Sequence, residues 1–181
     1  AAQIDWLVIN AGLENMHALN DKQTLFAFNL TLDSLGDPAF APRLSALLHQ
    51  HAALTHRVVF EFPERVLAAN PASLQVLMAR IKPLGVRFAL DQAGNDAAAL
   101  KYLKIIHFDY VKLAPAFVQE LEREKDHLRY VQALCDLAHA AGCQVIATGI
   151  ETEQQRALVC SLGFDAVQGK LIREPTPMRR L

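Results

Sequence analysis

The chain has 181 residues, 52% hydrophobic and 20% charged, a balance that favours a folded domain over a disordered segment. Eighteen lysines and arginines against nineteen aspartates and glutamates give a net charge of -1, so there is no basic footprint for a nucleic acid backbone. Apolar runs are shorter than the ~20 residues that span a bilayer, and Asp5 stands where a signal peptide carries basic residues. We therefore predict a cytoplasmic domain that has no membrane segment and binds no nucleic acid.

Short apolar runs rich in β-formers alternate with longer segments of helical period, the pattern of repeated βα units and a parallel sheet. The chain opens in a helix with Ile4, Leu7, Val8 and Ala11 on one face, and the strand of that unit is expected before residue 1. Six strands follow, each mostly apolar up to its last residue and expected to be buried on both faces. Their predicted last residues are Asn29, Glu61, Asp91, Lys112, Thr148 and Gln168.

The intervening helices have start and stop signals as well as apolar stripes. Asn70 and Pro71 are predicted as the N-cap and first residue of one helix, with Gly85 beyond its end. Thr152 and Gln155 form the capping-box pair of the last helix. The stripes predicted for two of the helices are Leu74, Leu77, Met78 and Ile81, and Leu128, Val131, Cys135 and Ala138.

The spacing of the strand ends indicates the fold. They recur about every 28 residues, close to the period of a TIM barrel of ~250 residues. We predict an α/β fold of the TIM-type β/α barrel class, with about six of the eight βα units present. The missing units would precede residue 1, so residues 1–181 are predicted to be a single domain and a C-terminal fragment of a longer chain.

The three cysteines, Cys135, Cys143 and Cys160, are an odd number without CxxC spacing. This arrangement favours reduced structural thiols over a disulfide framework. The seven histidines are dispersed, and the closest pair, His49 and His51, lies in a polar stretch without a nearby carboxylate. We predict that both are surface residues.

Polar residues at the predicted strand ends indicate a functional site, because the C-terminal ends of barrel strands face one cavity. Asn29, Glu61 and Asp91 offer hard oxygen ligands of the kind that hold Mg²⁺, Mn²⁺ or Ca²⁺. Lys112 and Gln168 add a cation and a hydrogen-bonding amide. Any one of them could simply cap its strand, but five such residues at six strand ends favour a shared site.

The same strand ends belong to a series of motifs. In chain order the series is Asn29-Leu30-Thr31, Glu61-Phe62-Pro63-Glu64, Leu90-Asp91, Lys112, Gly149-Ile150-Glu151, and Gln168-Gly169 with Pro175. It resembles the EAL family of bacterial cyclic di-GMP phosphodiesterases, whose fold is a modified TIM barrel with one antiparallel strand. The matching family motifs are Asn-Leu-Ser, Glu-(Ile or Leu)-Thr-Glu, the loop Asp-Asp-Phe-Gly-Thr-Gly, Lys-Ile-Asp, Gly-Val-Glu, and a C-terminal Gln-Gly and Pro.

This resemblance implies roles for individual residues. The catalytic positions are those of Lys112 and Glu151. The ligand-binding positions are those of Gln168, Pro175 and Asn29, with the glutamine beside a guanine base. The metal positions are those of Asn29, Glu61 and Asp91. We expect them to hold at most one weakly bound Mg²⁺ or Mn²⁺ ion, and no cofactor is otherwise required.

The chain departs from the family at several of its motif positions. In the loop after Asp91, Gln92 and Ala93 replace an aspartate and a phenylalanine, and Asn95-Asp96 replaces Thr-Gly. Ala114 replaces the aspartate that follows the lysine, Thr148 replaces a glutamate, and Lys170 replaces an aromatic residue. The Glu-Ala-Leu signature would precede residue 1. The family mechanism uses two metal ions, and a neutral Gln92 is a poor bridging ligand. Losing one ion removes several kcal/mol of transition-state stabilisation, so efficient hydrolysis is not expected.

These features predict a degenerate EAL domain that acts as a signalling module, either sensing cyclic di-GMP or binding a protein partner. One alternative is a weak metal-dependent phosphodiesterase that produces the linear dinucleotide. Another is an unrelated barrel enzyme, for example an aldolase with Lys112 as Schiff base. A structural or oligomerising role is the last alternative. The resemblance also implies an upstream sensor or diguanylate cyclase-like domain, and a homodimer is a further expected assembly.

Overall fold

The computed structural model describes residues 2–19, 21–96, 99–121 and 125–176, which fall into two compact units. The first unit contains the described residues up to Phe88, and the second those from Ala89 onwards. The helices of the first unit are α1 (Ala2–Ala18), α2 (Leu32–Gly36), α3 (Phe40–Gln50), α4 (Arg65–Ala69) and α5 (Pro71–Ile81). Its strands are β1 (Phe26–Asn29), β2 (Val58–Pro63) and the first residues of β3 (Arg87–Ala93). Single 3-10 turns occur at Thr55–Arg57 and Lys82–Leu84.

Strands β1 and β2 pair in parallel, with Asn29 opposite Glu61. The ladder continues one residue beyond β1, where the Leu30 N–H donates to the Glu61 carbonyl at 2.9 Å. Strand β2 is buried from Val58 to Phe62, whereas β1 is partly exposed. The pairing therefore brings the predicted site positions of β1 and β2 side by side in the backbone.

Helix α1 is present as predicted, but its apolar face is not the buried one. Ile4, Leu7 and Val8 are 64%, 60% and 54% exposed. The buried residues are Asp5, Ile9, Gly12, Leu13 and Met16. Hydrophobicity alone gave the wrong face because Asp5 is satisfied by hydrogen bonds inside the unit, and because Gly12 makes room for the Phe28 ring, which lies 2.3 Å from where a Cβ would be.

In the second unit, β3, β4 (Tyr110–Leu113), β5 (Gln144–Thr148) and β6 (Ala166–Gln168) pair in parallel in chain order. The helices are α6 (Pro115–Glu120), α7 (Lys125–Ala140) and α8 (Glu153–Ser161), with a 3-10 turn at Ala99–Lys104. The predicted α/β class is confirmed, since parallel strands alternate with helices. Within the described residues, no helix is both long enough and apolar enough to span a bilayer.

The predicted helix signals are confirmed where they rest on caps and stripes. The Asn70 side chain accepts from the Ser73 N–H with Pro71 at the start of α5, and Thr152 and Gln155 form both bonds of a capping box. All four residues of the α5 stripe are buried, and in α7 Val131, Cys135 and Ala138 are buried while Leu128 is half-buried. The buried stripes hold α5 and α7 in place, because an apolar stripe on one face of a helix packs against the core.

The strands differ from prediction at their ends and in their burial. Asn29, Thr148 and Gln168 end their strands, but β2, β3 and β4 continue past Glu61, Asp91 and Lys112. Burial on both faces holds for β2 and nearly for β4, and fails for β1 and β6. Strands β1 and β6 each have a single pairing partner within their own unit, so fewer atoms cover them.

The cysteines are free thiols, as predicted, and Cys135 and Cys143 are buried while Cys160 is exposed. Burial raises the pKa of Cys135 to about 12, with smaller contributions from Asp136 and Asp165. Burial also raises the pKa of Cys143, assisted by the charge of Asp109. Since the thiolate is the reactive form, Cys135 and Cys143 should be inert in the folded protein.

We expect iodoacetamide at about pH 8 to modify one thiol of the native protein, Cys160, and all three after denaturation in urea. Intact-mass spectrometry would count the adducts. The matched control is Cys160→Ser, which should take up no label until it is unfolded. Rapid native labelling of Cys135 would show that the packing of α7 described above is incorrect.

Candidate ligand-binding site

Asp91 and Gln92 lie in a β-bulge near the end of β3. Leu90 pairs with Val111 and Ala93 with Leu113, so β3 contains one more residue than β4 over this stretch. Gln92 has a φ of 56°, the one positive value at a non-glycine residue in the described ranges. Its carbonyl accepts a hydrogen bond from Asn95 Nδ2 at 2.8 Å. Bulges commonly redirect side chains next to functional sites, and this one alters where Asp91 and Gln92 point.

The Lys112 side chain is paired with Asp91. Its Nζ lies 4.0 Å from Asp91 Oδ1, and the two side chains are 10% and 19% exposed. A lysine so little exposed has its ammonium near low-dielectric surroundings, where attraction to a carboxylate is stronger than at the surface. Asp91 therefore has a nearby counter-ion on the neighbouring strand.

Thr148 ends β5 as a buried, neutral residue. Its Oγ1 donates to the Leu113 carbonyl at 2.5 Å, which ties the side chain to the backbone of β4. Thr148 therefore brings no charge to this strand end. The hydroxyl proton is already used within the fold.

The segments after β5 and β6 are joined through their backbones. The Ile150 N–H donates to the Gln168 carbonyl and the Leu171 N–H to the Ile150 carbonyl, both at 3.1 Å. A Cβ on Gly169 would lie 2.1 Å from the Ile150 carbonyl oxygen, so only glycine fits there. Gly149 has a φ of 78°, and a Cβ there would lie 2.6 Å from Pro115 Cβ. The close contact of Gly169 with Ile150 fixes the segments after β5 and β6 against each other.

The joined loops bring Glu151 and Lys170 together. Lys170 Nζ lies 3.6 Å from Glu151 Oε1, and the side chains are 68% and 52% exposed. The Glu151 N–H donates to Gln155 Oε1 at 2.8 Å, which anchors its backbone to the start of α8. An exposed pair of this kind is weak, so Lys170 can exchange Glu151 for another anion with little loss. Gln168 and Pro175 are exposed beside this pair in the sequence.

In the first unit, Asn29 and Glu61 end the parallel pair β1 and β2. The Asn29 side chain is exposed, whereas Glu61 is 7% exposed. Glu64, the first residue after β2, is also buried, at 5%. Sequence analysis included Glu64 only as part of a motif and gave it no role, and no pattern in the sequence distinguishes it from Glu61.

The charges near two strand ends of the second unit oppose metal binding. Its two carboxylates near the strand ends, Asp91 and Glu151, each face a lysine ammonium. A divalent ion would have to compete with that ammonium, because like charges repel at close range. Across the part of the chain that the structure describes, no group of three or more His, Cys, Asp or Glu side chains is arranged to hold a metal ion.

Comparison with known proteins identifies the family to which this fold and these strand ends belong. The sequence profile of the EAL domain matches residues 1–175. The chain belongs to the EAL domain family. As a result, the alternative of an unrelated barrel enzyme with Lys112 as Schiff base is wrong, and the EAL-type α/β fold predicted from the sequence is confirmed.

Among curated relatives, the EAL chain is 29% identical over 174 residues to the cyclic di-GMP phosphodiesterase RocR of Pseudomonas aeruginosa, covering 95% of this chain and 44% of RocR. It is also 29% identical over 180 residues to the cyclic di-GMP phosphodiesterase PdeF of Escherichia coli, covering 98% and 24%. The chain thus spans less than half the length of these relatives.

Among solved structures, the PaMucR phosphodiesterase in its c-di-GMP complex superposes with a TM-score of 0.87 at 25% identity, covering 97% of this chain and 78% of that one. The S helix-GGDEF-EAL structure of Vibrio cholerae LapD, bound to c-di-GMP, gives 0.88 at 22% identity, covering 94% and 42%. At 22% identity, the similarity to LapD shows only that the two chains share a fold.

Proposed function

We propose that this EAL domain binds cyclic di-GMP and hydrolyses it slowly or not at all. The observation that carries the proposal is the pairing of both strand-end carboxylates of the second unit with lysines, Asp91 with Lys112 and Glu151 with Lys170. In each pair an ammonium group lies near the carboxylate, at 4.0 Å and 3.6 Å, so a divalent ion would bind there against its positive charge. The same ammonium groups suit a phosphodiester, because charged hydrogen bonds to phosphate are stronger than neutral ones.

Two further features support a dinucleotide ligand. Gln168 presents an exposed amide next to a backbone that Gly169 and Ile150 fix in place, and an amide can pair with the edge of a base. The relatives RocR and PdeF are cyclic di-GMP phosphodiesterases by name, and PaMucR was solved with c-di-GMP bound. We extend this ligand to the present chain, and for Asn29 in the first unit a ligand contact stays a prediction from the sequence.

The neutral residues at acidic family positions support weak catalysis. Gln92 lies in the bulge with a strained φ, and the Thr148 hydroxyl is tied to β4, so neither supplies a carboxylate to a metal ion. The remaining role is signalling, in which ligand binding changes the contact of the domain with a protein partner. The partner half of this proposal rests on the resemblance stated above.

Slow metal-dependent hydrolysis is the second candidate. It is favoured by the survival of Asp91, Lys112 and Glu151 near three strand ends, since a single weakly held ion could polarise a phosphate oxygen. Turnover of cyclic di-GMP separates the two functions. Direct titration with labelled cyclic di-GMP, with and without excess EDTA, tests the leading one.

The metal prediction follows from the same lysine pairs. We expect calorimetric titration with Mn²⁺ to give one weak site or none, because Lys112 must be displaced from Asp91 before an ion can bind. Any heat of binding should disappear in Asp91→Ala. The matched control is Asp136→Ala, an exposed carboxylate on α7 that accepts from Gln132 Nε2 at 3.0 Å. Two tight Mn²⁺ sites would contradict the prediction.

A further inference from the structure

A buried carboxylate of α1 holds the turn that follows Asn29. Asp5 is 8% exposed, and its Oδ2 accepts hydrogen bonds from the Thr31 N–H at 2.8 Å, Thr31 Oγ1 at 2.9 Å and Ser34 Oγ at 2.6 Å. Three donors on one oxygen compensate the loss of water around a buried charge. The three bonds cross 26 to 29 residues of sequence, so they define a tertiary contact and not a local turn.

Because of these bonds, the Thr31 side chain does not cap the helix that it precedes. Thr31 is the N-cap residue of α2, with an extended backbone, yet its side chain makes no capping bond to that helix. Its hydroxyl and its N–H both donate to Asp5 instead. A threonine at this position normally accepts from the first turn of its own helix. The Thr31 hydroxyl and N–H therefore fix the turn to α1.

The two residues after Asn29 are consequently anchored on two sides. The Leu30 N–H is held by the Glu61 carbonyl of β2, and the Thr31 N–H by Asp5 of α1. By contrast, within the described ranges the Asn29 side chain has no hydrogen-bond partner and is exposed. The backbone contacts therefore fix the position of the Asn29 backbone and the direction of its Cα–Cβ bond.

We propose that Asp5 is a positioning residue of the candidate site, which acts on ligand through Asn29. The inference rests on the proposed function insofar as Asn29 contacts cyclic di-GMP. Asp5 itself touches no ligand. It holds the Thr31 backbone so that the Asn29 backbone is already in place when ligand arrives, which lowers the entropy lost on binding.

A double-mutant cycle tests whether Asp5 acts through Asn29. We expect Asp5→Asn to weaken cyclic di-GMP binding about fivefold in the wild-type background and less than about twofold in the Asn29→Ala background, because residues that act together are not additive. Ser34→Ala, which removes a single donor, should weaken binding in the same direction by less. The matched control is Glu14→Gln, an exposed residue of the same helix that accepts from Asn10 Nδ2 at 3.1 Å.

Nuclear magnetic resonance gives a second readout that needs no ligand. In Asp5→Asn, the side-chain NH₂ signals of Asn29 should shift and the Thr31 amide should exchange with solvent roughly tenfold faster, with the signals of α3 unchanged. Equal loss of affinity in both backgrounds, or an unmoved Asn29 signal, would show that Asp5 only stabilises the fold. If the wild-type chain binds no cyclic di-GMP, the proposed function fails, and the positioning role of Asp5 is then decided by the Asn29 and Thr31 signals.

Discussion

Cyclic di-GMP is expected to bind in excess EDTA, and its affinity is expected to fall at least about tenfold in Gln168→Ala, the effect of leaving a buried polar partner unpaired. Binding should survive EDTA because the proposed phosphate contacts are the ammonium groups of Lys112 and Lys170 and not a metal ion. Gln168 should matter because the Ile150 N–H holds its carbonyl, so its amide is presented from a fixed backbone.

Fluorescence titration of labelled cyclic di-GMP, with wild type and variant in parallel, measures this effect. The matched control is Gln144→Ala, an exposed glutamine at the opposite end of β5, which should leave the affinity unchanged. Higher salt should also weaken binding, since exposed charges such as Lys170 are screened. Loss of binding in EDTA, or an affinity that is unchanged in Gln168→Ala, would refute this description of the ligand contacts.

Hydrolysis is the second large effect. With cyclic di-GMP and Mn²⁺, we expect the linear dinucleotide to form well below about one turnover per second, the lower end of ordinary enzyme rates. The physical reason is that Gln92 and Thr148 carry no negative charge, so a second ion would lack compensation there. Chromatography of the nucleotide products, with an active EAL phosphodiesterase as a positive control, measures the rate.

A variant distinguishes slow catalysis by the domain from contamination. Any residual rate should drop further in Asp91→Ala, and it should be unaffected in Asp136→Ala on the surface of α7. A wild-type rate near or above about one per second would exceed what the proposal allows and would establish the phosphodiesterase alternative.

Local patterns in the sequence were sufficient for most of the fold. The caps at Asn70 and Thr152 and the stripe of α5 each depend on neighbours within one or two helical turns, which periodicity captures. Helix α1 was misjudged for a different reason. The burial of Asp5 depends on Thr31 and Ser34, which lie 26 and 29 residues away, and no local pattern contains that information.

The candidate site was predictable in its residue types and not in its pairings. The position of Asp91 near a strand end follows from the apolar run that precedes it, but the bulge between Leu90 and Ala93 follows from the pairing of β3 with β4. Likewise, the sequence indicated only that Lys170 replaces an aromatic residue of the family motif. Its approach to Glu151 arises from the backbone contact of two loops that are distant in sequence. The functional roles of these residues are still predictions.

The close contact between Gly169 and Ile150 also determines where this site can change during evolution or engineering. With the Ile150 carbonyl oxygen 2.1 Å from where a Cβ would stand, position 169 tolerates no side chain, and any larger residue there would push the two loops apart. Position 170, in contrast, is exposed on a backbone that does not depend on its side chain. New ligand preferences can therefore be tried by exchanging Lys170 alone, with the loop geometry preserved by its neighbour.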